Sequence, residues 1–115
     1  MEISHQEIAP STAVVTLTGK LLMGGAADKL MALVDDLLAR GTKLIVFDLA
    51  AVTAMDSTGI GRFIYTYNKL APVGGDMRMA GATGHVLQTF KVSLLDKVFG
   101  FFPTVEDALN AGAIT

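Results

Sequence analysis

The sequence lacks cysteine, tryptophan and any excess of basic residues. Without cysteine there are no disulfides and no thiolate metal ligands, and the redox compartment stays undetermined, because only a cysteine framework would argue for export. The formal charge is -2, with acids and bases interspersed, so the chain has no clustered basic surface of the kind that DNA- and RNA-binding proteins usually carry. Direct nucleic-acid binding is therefore not expected.

Long apolar runs are also missing from the sequence. No uninterrupted apolar segment approaches the roughly 18–20 residues needed to cross a bilayer. The amino terminus, MEISHQEI, is polar and acidic where a signal peptide would be basic and then apolar. These patterns predict a cytoplasmic protein without membrane insertion. Hydrophobic residues make up 51% of the 115 residues, which is enough for one core, so residues 1–115 are expected to form a single domain.

Hydropathy periodicity predicts an alternation of strands and helices. The predicted segments are strands at 2–8 and 12–20 around the turn signal Ala9-Pro10-Ser11, a loop at 21–28, a helix at 27–41, a short buried strand at 44–49, a helix from Ser57 to Pro72, a strand at 76–81, an interrupted helix at 84–98, a short strand at 101–102 and a last helix from Thr104 to Ala111. The expected fold is α/β. It consists of a single layer of mostly parallel sheet with four to five strands, an N-terminal hairpin-like strand pair and about four helices.

The segment AMDSTGIG, residues 54–61, follows the predicted central strand and combines an acid, two hydroxyls and two glycines. Asp56, Ser57 and Thr58 lie at a predicted helix amino terminus, where backbone N–H groups lack intrahelical partners, and Ser57 is predicted to be the N-cap. Gly59 and Gly61 each cost about 1 kcal/mol in a helix relative to alanine. A cap does not require that cost, whereas a surface that another molecule approaches closely does.

The residues of this segment can be set against the requirements of several kinds of functional site. A P-loop would need a lysine after the glycines, and a dinucleotide fingerprint would need GxGxxG before the helix. A nucleophile elbow needs GxSxG and a base, and metal binding needs clustered ligands, whereas His5 and His85 stand alone. No catalytic or metal-ligating residue is predicted. A phosphate on Ser57 would add about 1.5–2 negative charges beside N–H groups expected to be free, which would change the surface more than the fold. A phosphorylation switch and a plain helix start both remain open on the residues alone.

The hexapeptide Asp56-Ser57-Thr58-Gly59-Ile60-Gly61 resembles the D-S-[STA]-G-[LIV]-G hallmark of the STAS-domain family of anti-sigma factor antagonists, also called anti-anti-sigma factors. The segments TLTGK, KLIVFDL, GGDMRMAG and VLQTFKVSLLDKVF followed by FFPTVEDAL also resemble consecutive elements of that family. Because the resemblance spans nearly the whole chain, residues 1–115 are expected to form one STAS domain.

The resemblance implies a partner-switching function in which the chain is not an enzyme. Ser57 corresponds to the serine that a GHKL-type anti-sigma kinase phosphorylates, and Asp56 to the acid beside it. Thr58 occupies the neighbouring hydroxyl position, which is not the expected acceptor. The unphosphorylated form is expected to bind the kinase, and a PP2C-like phosphatase to restore binding. No cofactor is implied, since ATP belongs to the partner, and the chain is expected to be a monomer or a weak homodimer.

One loop departs from the family pattern. Where an acid often follows the TLTGK turn, this chain has Leu21-Leu22-Met23-Gly24-Gly25. Met23 and Gly24 are therefore counted with the expected partner-binding residues, the others being Asp56, Ser57, Thr58, Gly59, Gly61 and Arg62. Leu22 and Met23 could equally be core residues that cover the sheet. Two alternative functions stay open, a constitutive STAS subunit of a stress-signalling or lipid-transport assembly and a small enzyme with Ser57 as nucleophile.

Overall fold

A computed structural model describes residues 1–111. Strands and helices alternate in the predicted order. The elements are β1 (Glu2–Ala9), β2 (Thr12–Leu21), α1 (Gly25–Ala39), β3 (Leu44–Met55), α2 (Ser57–Leu70), β4 (Asp76–Ala80), α3 (Gly84–Val92), β5 (Gly100–Phe102) and α4 (Val105–Asn110). Single 3₁₀ turns at Ala71–Val73 and Leu95–Lys97 follow α2 and α3.

The strands form one sheet in the order β1-β2-β3-β4-β5. β1 pairs antiparallel with β2, and every later neighbour is parallel. Helices α1, α2 and α3, which connect the parallel strands, contribute to one large apolar cluster with the same face of the sheet. The short helix α4 covers part of the opposite face. The predicted α/β fold, with its mostly parallel sheet, N-terminal strand pair and four helices, is confirmed.

Aromatic packing fixes α2 on the central strand. The ring of Phe63, on α2, meets the ring of Phe47, on β3, edge to face with centroids 5.0 Å apart, and the ring of Phe90, on α3, lies 5.7 Å from that of Phe63. All three side chains are fully buried. Because α2 starts immediately after β3, this anchor also fixes the position of the first turn of α2.

Strand β3 is longer than predicted. The sequence pattern indicated residues 44–49, whereas the strand continues to Met55. Within β3, only Leu44–Asp48 pair with β4. The rest of β3 pairs with β2 alone, through two register shifts, and this pairing ends at Leu21↔Met55. The parallel pair β2–β3 therefore extends beyond the rest of the sheet, and its tip carries the segment 54–61.

The loop between β2 and α1 is shorter than predicted. β2 ends at Leu21 and α1 begins at Gly25, so the predicted loop of residues 21–28 contracts to residues 22–24. Gly24 makes the tight connection possible with φ 122°, a conformation that residues with a side chain rarely adopt. The short loop lies beside the end of β3, because Leu21 is paired with Met55.

Candidate functional site

Asp56, between β3 and α2, is the residue that caps α2. Its Oδ1 accepts hydrogen bonds from the backbone N–H groups of Thr58 (3.0 Å) and Gly59 (3.1 Å). The prediction that Ser57 is the N-cap is wrong, since Ser57 is the first helical residue. Asp and Ser are favoured about equally at caps, and here the extended backbone of Asp56 places its carboxylate over the first turn.

The same carboxylate also holds the loop after β2. Its Oδ2 accepts a hydrogen bond from the backbone N–H of Met23 at 2.9 Å, across 33 positions in the sequence. This bond, followed by those from Gly59 and Thr58, holds the pKa of the Asp56 carboxyl below its ordinary value. One ionised side chain therefore ties the loop to the start of α2.

The Ser57 hydroxyl is exposed and, within residues 1–111, makes no hydrogen bond. The expectation of free N–H groups beside it holds only in part, because within residues 1–111 the backbone N–H of Ser57 itself has no hydrogen-bond partner, whereas its neighbours' N–H groups are occupied. The Asp56 side chain occupies those of Thr58 and Gly59, and the Asp56 backbone carbonyl accepts from Ile60 at 3.2 Å. A phosphate on Ser57 would thus lie beside an ionised carboxylate and a single vacant N–H group, that of Ser57 itself. Like-charge repulsion would direct it outward into solvent.

The two glycines of the hexapeptide have different surroundings. A Cβ at Gly59 would lie 2.7 Å from Met55 Cγ and 3.0 Å from Leu21 Cγ, so the close approach that requires glycine there is internal. The reason predicted for it, approach by another molecule, does not apply to this buried residue. At Gly61 a Cβ would have nothing within 4 Å. Gly61 is therefore the glycine that keeps the exposed surface flat beside Ser57.

The loop residues predicted as either core or surface are at the surface. The Met23 side chain is 79% exposed, Leu22 and Gly24 are also exposed, and only Leu21 belongs to the core. The backbone bond to Asp56 places Met23 at the end of the sheet where Ser57 lies. The structure therefore brings this loop next to the hexapeptide.

Arg62 faces α1 in the structure. Its Nη2 lies 3.5 Å from Asp28 Oδ1, and its Nε is buried without a hydrogen-bond partner in the described part of the chain. One turn further along α2, the Tyr65 hydroxyl donates to Asp35 Oδ1 at 2.9 Å, which raises the pKa of the tyrosine. Both contacts join α2 to α1. Arg62 therefore lies between α1 and the exposed face of α2 that carries Ser57 and Gly61.

Sequence reasoning missed Ile64. The helical spacing of the apolar residues Ile60, Phe63, Ile64, Tyr67 and Leu70 predicts that it belongs to the buried stripe of α2, whereas Ile64 is 38% exposed. Ile64 follows Ser57 by seven positions and Gly61 by three, so the three residues share one face of the helix. The signal available in the sequence was that the stripe through Ile60, Phe63 and Tyr67 is already complete without it.

Other kinds of site have little support from the described residues. Across 1–111, no group of three or more His, Asp or Glu side chains is arranged to hold a metal ion. No helix in that range is long and apolar enough to cross a membrane. His5 lies within β1 and His85 in the first turn of α3, and Ser57 makes no hydrogen bond to either.

Comparison with known proteins agrees with this architecture. The family model described as the STAS domain matches residues 5–108. The chain belongs to the STAS-domain family. The TLTGK segment of β2, the long third strand and the D-S-T-G-I-G start of α2 all lie within the matched range.

Solved structures show the same STAS fold. An anti-sigma factor antagonist from Mycobacterium paratuberculosis is 28% identical, with a TM-score of 0.82 over 96% of this chain and 93% of that one. The Bacillus cell-fate determinant SpoIIAA, in its phosphorylated form, is 21% identical, with a TM-score of 0.78 over 95% of this chain and 97% of that one. A sulfate transporter family protein from Wolinella succinogenes is 16% identical, with a TM-score of 0.76 over 90% of this chain and 86% of that one.

Proposed function

We propose that this STAS domain is an anti-anti-sigma factor. In its unphosphorylated form it binds a GHKL-type anti-sigma kinase, and phosphorylation of Ser57 releases it. A PP2C-like phosphatase restores binding, and the protein acts in the cytoplasm without being an enzyme itself. The similarity to the mycobacterial anti-sigma factor antagonist supports the class of function, and the start of α2 supports the switch.

The observation that carries the proposal is the division of labour between Asp56 and Ser57. Asp56 provides the cap, so the Ser57 hydroxyl is exposed and makes no hydrogen bond in the described residues. A serine whose hydroxyl capped the helix would have to give up that bond in order to be phosphorylated. Here the hydroxyl can react without breaking any contact of the fold.

The proposed binding surface consists of the 22–24 loop and the exposed face of α2. It contains Met23, Ser57, Gly61 and Ile64, with Arg62 and Thr58 at its border. A phosphate on Ser57 would add charge and bulk in the middle of this surface, next to the ionised Asp56. A partner that covers the surface would be displaced, while the core under Phe63 would be unaffected.

The test is to incubate the protein with ATP and the GHKL-type kinase encoded near its gene, and to locate the phosphate by mass spectrometry. We expect one phosphate on Ser57, none in Ser57→Ala, and undiminished modification in Thr58→Ala. Ser57→Asp should bind the kinase at least tenfold more weakly, whereas Ser4→Asp, which makes the same change on exposed β1, should bind like the wild type.

The proposal would be contradicted by the combination of two results: no phosphate on Ser57, and kinase binding by Ser57→Asp that equals that of the wild type. That combination would favour the second candidate function, a constitutive STAS subunit of a stress-signalling or lipid-transport assembly. The fold alone is compatible with that candidate, since a sulfate transporter family protein shares it.

A further inference from the structure

Met23 presents its side chain from a fixed backbone. Among the large apolar side chains of residues 1–111 it is the most exposed, at 79%. Its backbone N–H is nevertheless held by Asp56 Oδ2 at 2.9 Å, and the next residue, Gly24, is the N-cap of α1. The exposure is therefore built into an anchored loop of three residues, which holds the Met23 side chain in solvent at the end of the sheet where Ser57 lies.

Two carboxylates close to the 22–24 loop, those of Asp56 and Asp28, are already engaged within the chain. The Asp56 carboxylate accepts three backbone N–H groups. Asp28, in the first turn of α1, is paired with Arg62 at 3.5 Å. Apart from the Ser57 hydroxyl, the exposed side chains that this surface offers a partner are apolar, namely Met23 in the loop and Ile64 on α2.

We infer that Met23 is a specificity-determining anchor for the partner, and that the partner receives it in an apolar pocket beside the Ser57 contact. This inference rests on the proposed function, since the partner that provides the pocket is the GHKL-type kinase. An unbranched thioether side chain adapts to an apolar pocket at small cost. A few such anchors usually dominate the affinity of an interface.

The experiment measures the affinity of the purified kinase, with ADP, for five forms of the full chain by calorimetry, namely wild type, Ser57→Asp and the three variants that follow. Met23→Gln keeps the length of the side chain and removes its apolar character, and Met23→Leu keeps the apolar character. Val92→Gln is the matched control. Val92 is 74% exposed and is the last residue of α3, at the opposite end of the parallel strands from Ser57. All variants should melt close to the wild type, since exposed side chains contribute little to stability.

We expect Met23→Gln to weaken binding about 30-fold, as loss of an interface hot spot does, and Met23→Leu to stay within about threefold of wild type because the pocket accepts either apolar side chain. Val92→Gln should bind unchanged. If Met23→Gln binds like Val92→Gln while wild type binds and Ser57→Asp does not, the Met23 inference is overturned and the proposed function stands. If wild type itself does not bind, both are overturned.

Discussion

Replacing the two glycines of α2 with alanine is expected to have different effects on stability, although Gly59 and Gly61 lie only two positions apart. A Cβ at residue 59 would be 2.7 Å from Met55 Cγ and 3.0 Å from Leu21 Cγ, both in the core. Overpacking of this kind costs about 1–3 kcal/mol, against a gain of about 1 kcal/mol from helix propensity. Gly59→Ala should therefore be neutral to about 2 kcal/mol less stable than wild type.

Gly61→Ala provides the matched control, because a Cβ there meets nothing within 4 Å. Only the propensity term applies, so this variant should be more stable by up to about 1 kcal/mol, or about 4 °C in Tm. Urea unfolding of both variants measures the difference between them, which isolates the packing term because the propensity gain is common. Equal stabilisation by the two substitutions would refute the assignment of Gly59 to internal packing.

Three further predictions concern contacts elsewhere and the cap itself. Arg78→Met removes the 2.7 Å hydrogen bond from a buried guanidinium to the Ala108 carbonyl, and should lower the free energy of unfolding by about 2 kcal/mol with faster amide exchange in α4; unchanged exchange would contradict this. Thr104→Ala removes the cap on the Asp107 N–H and should cost about 1 kcal/mol in urea unfolding; a change below the error would contradict it. The lowered pKa of Asp56 means that its stabilisation is present above the unfolded pKa near 3.8 and is lost as pH falls through the lower folded value. The stability difference between wild type and Asp56→Asn should therefore shrink between pH 6 and pH 3, and parallel curves would contradict this account.

Much of the fold could be predicted because the hydrophobic period changes cleanly between strands and helices. The run at residues 44–49 is apolar enough to indicate a strand covered on both faces, and the structure confirms this burial. The extension of that strand to Met55 could not be predicted, because residues 50, 51 and 54 are alanines and two register shifts disrupt the alternation. Pairing with β2, a long-range contact, defines that half of the strand.

The hexapeptide could be located from sequence, but the role of each residue within it could not. Asp56 and Ser57 are both favoured at helix starts, and the choice depends on a backbone angle that the sequence does not reveal. The bond from Met23 to Asp56 joins residues 33 positions apart. The contact of Arg62 with Asp28 is equally remote in sequence. Such contacts follow from the packing of α1 beside α2, which only the folded chain shows.

The most direct test of the central claim compares one preparation of the protein before and after phosphorylation. The affinity for the GHKL-type kinase is measured on the unmodified protein, on the protein carrying phosphate at Ser57, and again after treatment with a PP2C-like phosphatase. The account predicts tight binding, a loss of at least tenfold, and full recovery, with an unchanged circular dichroism spectrum throughout. Equal affinity of the unmodified and phosphorylated forms would contradict the claim that Ser57 is the switch.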